Sequence, residues 1–366
     1  PHDTWTQVKT KKDVKDKGFH MYHMKGTKSQ SQTATLRNQL DRQHALVKES
    51  CERLVQRSRK PLIVGYQTAL ALQHIPIPAR CRNNPDIQVV NVPGLATIWK
   101  TGTTLHRWNI GSAAALVPIA PRLFAFDIFH ALAQMAVSST CEQLIIMGDA
   151  IVHALGETIT EGIPMPEQSR NIGEPATTIP LSEELATRLR QAEAAAQLRP
   201  GKARTCAKAE SIVLKALGEF FNRPERYHGK SLCCKAYPYI AGAALSPQET
   251  RTRLALVRHG LLWRERNITV DGLYFSSGWP VTVDLAWSSA KIAIEYDGDH
   301  HRTHRTQWMN DHEKRNLLQN NDWKVFVVDA ASLITEEARA SFAFSVARAL
   351  ELRGVRTRFN PVAQSW

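Results

Sequence analysis

Asp284, Glu295, Asp297, Asp299, His300 and His301 put four carboxylates and two imidazoles within eighteen positions of the chain. The stretch that carries them otherwise reads as strand. Val281-Thr282-Val283-Asp284-Leu285-Ala286 and Lys291-Ile292-Ala293-Ile294-Glu295-Tyr296 are β-branched and apolar, and the turn-like Trp287-Ser288-Ser289-Ala290 lies between them, which predicts a hairpin. With a two-residue loop at Ser288-Ser289, Asp284 falls opposite Ala293, and Asp284, Glu295 and Asp297 share one face of the sheet. A one-residue change in the loop moves Asp284 to the other face. Three carboxylates on one face repel each other unless a cation joins them. Hard divalent ions take oxygen ligands, commonly one or two carboxylates with water and a substrate phosphate. Such an ion polarises a phosphoryl oxygen and lowers the pKa of an attacking water. These residue types therefore suggest a site for Mg²⁺ or Mn²⁺ able to act on a phosphoryl group. The bland alternative is a charged hairpin tip in solvent, but here the acids sit inside the β-branched runs rather than on the turn. Gly298 allows a sharp exit from the strand that leaves His300 and His301 near the acids.

The elements around this hairpin follow from local signals. Ser246-Pro247-Gln248-Glu249 is a capping box with Ser246 as N-cap and proline at the first helical position. Leu254, Leu256, Val257 and Leu261 continue it as an apolar stripe, and Gly260 suits the helix end. Capping alone accounts for Glu249 as well as a role as an accessory acid does. Thr306 to Gln319 reads as a helix with Asp311 and Arg315 at i,i+4, a spacing that allows a surface ion pair. Asn320-Asn321-Asp322 is a turn, Trp323 to Val328 a buried strand, and Thr335 to Leu352 a closing helix ended by Gly354.

Residues from about Ser246 to Leu333, about a quarter of the chain, resemble the restriction-endonuclease-like PD-(D/E)XK superfamily, and within it the family related to very-short-patch repair endonucleases. The resemblance rests on Ser246-Pro247-Gln248-Glu249-Thr250, Val283-Asp284-Leu285-Ala286-Trp287 and Glu295-Tyr296-Asp297-Gly298-Asp299-His300-His301-Arg302. Asp311 followed by Arg315, and Trp323-Lys324-Val325, complete it. It implies an α/β fold: a C-terminal restriction-endonuclease-like core of order αβββαβ, with a mixed central sheet flanked by helices. It further implies Asp284 and Glu295 as metal ligands, Asp297 as a further acid of the site, His301 as the family's histidine, and DNA rather than RNA as substrate. Lys230, Arg251, Arg302, Arg305 and Arg315 could hold the nucleic-acid backbone, with Glu249, His300 and Asp311 as accessory groups. One departure from the superfamily's best-known form stands out. Its lysine, two residues beyond the second acid, is replaced by Asp297, so His301, a metal-bound water or Arg315 would have to take that role. Restriction-like nucleases often cut both strands as dimers, which makes a homodimer an expectation. The rival expectation is a catalytically weak or inactive nucleic-acid-binding regulator, antitoxin-like, that uses a nuclease fold as its platform.

The chain has 366 residues, room for two or three domains. Its formal charge of +13 fits a polyanionic partner. Residues 1–60 carry 14 Lys/Arg against 6 Asp/Glu, and 1–33 read as a basic, disordered arm. The first residue is proline, so 1–20 read as a fragmentary or extraneous start, with Met21 and Met24 as alternatives. No apolar run approaches the roughly 18 residues that span a bilayer, and no secretory segment opens the sequence. A cytoplasmic protein without membrane contact is expected. The six cysteines show no C-x-x-C spacing, which points to reduced, buried thiols and away from structural zinc.

Before the nuclease-like domain (246–354) and its tail (355–366), we expect an α+β domain at 34–157, a linker and helix at 158–200, and a helical connector at 201–245. In the first of these, helices are read at Ala34–Ser58, from Phe124 to Val137 and from Cys141 to Leu155, with strands at 61–64, 88–92 and 104–108. The region resembles, more weakly, the central domain of abortive-infection type IV antitoxin-like proteins. The matching residues are Thr68-Ala69-Leu70-Ala71-Leu72 with Ile75-Pro76-Ile77-Pro78, the Val89 to Pro93 strand, Asp127, and Asp149-Ala150. This resemblance implies a partner protein from a toxin–antitoxin locus. Asp127, His130, Asp149 and His153 read as capping or packing groups on helices rather than as catalytic or ligating ones. No phosphate-cradling glycine loop or dinucleotide fingerprint is present.

Overall fold

The β-branched runs pair into two separate sheets in a computed structural model of the chain, which describes residues 27–82, 86–92, 94–95, 97–98, 101–160, 163, 179–196, 205–242, 246–262, 265–297 and 305–366. The first sheet holds β1 (Leu62–Val64), β2 (Ile87–Asn91), β3 (Thr103–Arg107), β4 (Leu116–Ala120) and β5 (Leu123–Phe126) in the order β3-β2-β1-β5-β4. The β1/β5 and β2/β3 pairs are parallel, and β1/β2 and β4/β5 antiparallel. The helices before and around it are α1 (Thr27–Gln56), α2 (Tyr66–Leu72), α3 (Ala79–Arg82), α4 (Ile128–Met135), α5 (Cys141–Thr158), α6 (Glu183–Ala195), α7 (Cys206–Phe221) and α8 (Lys230–Ala236).

Several expectations change here. The first helix begins at Thr27, inside the segment read as a disordered arm, while residues 1–26 lie outside the described residues. Residues 124–126 are strand rather than the start of a helix. Leu123, Ala125 and Phe126 are buried between β1 and β4, and the helix starts only at Ile128, where the Asp127 side chain accepts the Phe129 and His130 backbone N–H groups. The helices read as linker and connector are core elements. Leu185, Leu189, Ile212, Val213, Phe220 and Phe221 share one apolar cluster with Leu62, Phe126 and Leu144, because each helix carries a buried apolar stripe.

The second sheet follows the expected element order: α9 (Pro247–Arg258), β6 (Glu265–Tyr274), β7 (Pro280–Trp287), β8 (Ile292–Tyr296), α10 (Arg305–Asn320), β9 (Lys324–Val328) and α11 (Glu336–Leu352). Its strands lie in sequence order, β6/β7 and β7/β8 antiparallel, with α10 crossing over to a parallel β8/β9 pair. Both sheets are thus mixed, and the molecule is mixed α/β. Leu285, Trp287, Ile292, Ile294 and Tyr296 pack with Ala255 and Leu256 of α9 and Val346 and Leu350 of α11. Ala286 and Ala293 point the other way, into a cluster with Leu318 of α10. The segment read as a tail docks: the N–H of Asn360 donates to the His259 carbonyl at 2.9 Å and that of Gln364 to the Arg258 carbonyl at 2.8 Å. Gly260, at φ +83°, lies against the Arg358 carbonyl where a Cβ would collide. No helix among the described residues is long and apolar enough to cross a membrane.

Candidate functional site

Short apolar strands with small residues at Ala286 and Ala293 let α10 lie close over one face of β7 and β8, and the acids rise from that face. The connection between the strands is a 3-10 turn at Ser288–Ala290 closed by Lys291 at φ 48°, longer than the two-residue loop expected. It pairs Trp287 with Ile292, Ala286 with Ala293 and Leu285 with Ile294. Extended by one residue, this register sets Asp284 opposite Glu295 rather than Ala293. The shift is two residues, and an even shift preserves the face, so Asp284, Glu295 and Asp297 still share it. The Tyr296 N–H donates to Oδ2 of Asp284 at 3.0 Å, and the Asp297 N–H donates to the Val328 carbonyl at 2.7 Å, which prolongs the β8/β9 pairing to the third acid.

Helix α10 answers the acids with cations. Nζ of Lys314 contacts the Glu295 carboxylate, and both side chains are 3% exposed. The Arg315 guanidinium lies 3.7 Å from Oδ2 of Asp297, both about two-fifths exposed. The ion pair expected between Asp311 and Arg315 is therefore replaced by one across to the sheet. Asp311 turns inward instead, and its buried Oδ1 has no hydrogen-bond partner among the described residues. Lys314 is the side chain beside these acids that sequence reasoning missed. Its signal was present: Asp311, Lys314 and Leu318 fall at i, i+3 and i+7 on one helix face, and Leu318 is fully buried.

The other expected site residues are dispersed. His300, His301 and Arg302 lie outside the described residues, and for Arg305 the structure gives only its place at the start of α10. Glu249 is buried at the first turn of α9, where its N–H donates to Oγ of Ser246 at 3.2 Å, the cap that the sequence predicts. Arg251 is bound to Glu142 of α5 at 3.1 Å. Lys230 donates to the Arg223 carbonyl, and to that of Glu225 at 3.3 Å, closing the loop ahead of α8. Both basic residues thus hold the protein together rather than face the acids.

Asp127 and Asp149, the two acids of the first region that the sequence singled out, are both hydrogen-bonded. Asp127 also accepts from the Ser182 hydroxyl at 2.7 Å. Asp149 accepts from the N–H groups of Ala241 and Gly242, from Thr250 and from Arg253. His130 accepts the Trp108 Nε1–H at 3.0 Å on Nδ1, which leaves Nε2–H to donate to Glu184 at 3.2 Å. Burial of Glu184 opposes its ionisation, but His130, Arg223 and Arg188 outweigh that and hold its carboxyl well below the usual range. His153 is likewise partnered on both ring nitrogens, with Nδ1 3.2 Å from Oε1 of Glu210 and Nε2 3.5 Å from Glu157.

Asp284 and Glu295 fit a hard cation as donors: two carboxylates directly across a strand pair stand about 5 Å apart at Cβ, and their oxygens suit Mg²⁺ or Mn²⁺. Asp297 is set further along. Among the described residues, the three acids do not bring their oxygens within 4.8 Å of one another. Compared with known proteins, the chain matches no family model, no curated protein sequence and no solved structure.

Proposed function

We propose that the second sheet and its helices form a restriction-endonuclease-like core that hydrolyses phosphodiester bonds of nucleic acid, DNA by preference, with Mg²⁺ or Mn²⁺. The observation that carries this reading is the acid face of β7 and β8 capped by a buried lysine: Asp284 and Glu295 lie one residue beyond the Leu285/Ile294 pair, and Lys314 of α10 contacts Glu295. The element order α9-β6-β7-β8-α10-β9 supports the fold assignment. Asp284 and Glu295 would hold the ion, which supplies polarisation of the scissile phosphate and an activated water. Tyr296 fixes one oxygen of Asp284 through its backbone N–H. Lys314 supplies from the helix the amine that the strand lacks at Asp297. A lysine is a compact point charge suited to a phosphoryl oxygen. Arg315 stands at the rim, exposed enough to meet the backbone phosphates of a bound strand.

The Lys314–Glu295 contact also favours a second reading. A buried pair that neutralises itself needs no metal, and such a core can serve as a nucleic-acid-binding platform without cleavage. Supercoiled plasmid incubated with the protein and Mg²⁺, Mn²⁺ or EDTA, beside Asp284→Asn, separates the two. Metal-dependent nicking lost in Asp284→Asn is the outcome expected for the nuclease. Salt-sensitive binding without cleavage in either protein would assign the platform role.

A further inference from the structure

We propose that His153, Cys206 and Glu210 form a binding site for a transition-metal ion of the zinc class at the seam between α5 and α7. Nδ1 of His153, Sγ of Cys206 and a carboxylate oxygen of Glu210 all lie within 4.8 Å of one another. Oε1 of Glu210 is 3.2 Å from the imidazole and 3.8 Å from the thiol, so the three donors converge on one point. They come from two helices. His153 sits in α5, while Cys206 and Glu210 are i,i+4 on the first turns of α7 and so lie on one face of it.

Three further observations distinguish this arrangement from a plain His–Glu pair. Nε2 of His153 faces the carboxylate of Glu157, one turn along α5, at 3.5 Å. With Nδ1 on an ion, the carboxylate behind the imidazole would take the Nε2 proton, the usual outer arrangement of a metal-binding histidine. The backbone makes room for Glu210 in particular: a Cβ on Gly156 would lie 2.7 Å from its Cγ, and one on Gly242 3.1 Å from its Cδ. Both glycines keep the carboxylate where the thiol and imidazole meet. Finally, His153 and Cys206 are half-buried while Glu210 is buried, so the cluster opens to solvent on one side. An ion can enter there, and water can take the fourth position.

The donor set selects the ion. A thiolate with one imidazole and one carboxylate suits Zn²⁺ and its neighbours, whereas Mg²⁺ and Ca²⁺ take oxygen ligands alone. One thiolate and one carboxylate neutralise a divalent charge. Because His153 belongs to α5 and the other two to α7, the ion would staple these helices together, and its binding would raise the stability of the folded state. This site is independent of the acids on β7 and β8.

The test uses the full chain, stripped of metal and titrated with Co²⁺. A thiolate-to-cobalt charge-transfer band that saturates at one equivalent, bleaches on addition of Zn²⁺ and vanishes in Cys206→Ser is the expected result. Glu157→Gln should keep the band and weaken binding about 10- to 100-fold, and Asp284→Asn should leave it unchanged. Circular dichroism of each variant checks folding, with His153→Gln as the alternative should Cys206→Ser fail to fold. Absence of a thiolate band at one equivalent, or its persistence in both Cys206→Ser and His153→Gln, would overturn the proposal.

Discussion

Asp149 in the first region and Glu295 in the second are both buried carboxylates, 0% and 2% exposed, yet they are neutralised in different ways. Asp149 is held by two backbone N–H groups, a hydroxyl and a guanidinium, contributed by the segment before α9 and by α9 itself. Its lone pairs are engaged from several directions, and the result is a fixed tie between α5 and the start of the second unit. Glu295 faces Lys314 from one helix, beside a second acid from the neighbouring strand. A carboxylate surrounded by backbone donors has no reason to rearrange. A carboxylate that faces a lysine can exchange that partner for a metal or share it with a phosphate. Burial alone therefore does not tell these two acids apart, whereas the kind of donor around them does.

The comparison can be broken in several ways. The largest effect expected is on chemistry. Asp284→Asn should reduce plasmid nicking by more than the roughly 100-fold that loss of an outer partner costs a metal site, with the urea midpoint nearly unchanged. Asp149→Asn should do the reverse, lowering stability by about 3–5 kcal/mol through an uncompensated buried Arg253, with chemical denaturation as the measurement. Wild-type stability in that variant would remove the contrast drawn here. For the pair in the second region, Lys314→Met alone should cost about 3–5 kcal/mol, while Lys314→Met combined with Glu295→Gln should recover much of the loss. Denaturation of the two single variants and the double variant gives the coupling directly. Cleavage should be lost in all three.

Smaller effects should sharpen the picture. Burial, then the neighbouring His74, push His44 down to about 4. The unfolded chain takes up that proton near pH 6.5, so stability from this group is complete above that pH and declines as the pH falls towards 4. Urea midpoints at pH 7.5 and pH 5 should differ in that direction, and His44→Gln should flatten the difference. The smallest stability effect belongs to Arg315→Gln. Its ion pair with Asp297 is long and exposed, and such pairs contribute about 0–1 kcal/mol. Weakened binding to DNA at low salt, with an unchanged urea midpoint, would place Arg315 at the substrate rather than in the scaffold.

Much of the second unit was legible because local rules and tertiary outcome agree there. The Ser246 cap, the β-branched runs and the turn at 320–322 each specify an element without help from distant residues. The face shared by Asp284, Glu295 and Asp297 survived a wrong loop length because side chains alternate with a period of two. Residues 124–126 were misread because Leu123 to Phe126 is a short apolar run, which periodicity cannot assign to strand or helix. Its pairing with β1 and β4 decided the matter. The helices at 183–195 and 206–221 looked like connectors because their composition says nothing about what covers them.

By itself, the sequence determined the order of elements in the second unit, the capping of its first helix and the side of the sheet that bears the acids. These depend on φ/ψ preference, hydrogen-bonding side chains a few residues apart, and pleat. Only the tertiary structure decided that Lys314 meets Glu295, that Arg315 reaches Asp297 rather than Asp311, and that His153 meets Cys206 and Glu210. Each of those meetings joins residues from different elements. Their distances are set by how helices seat on a sheet or on one another, which no local propensity encodes.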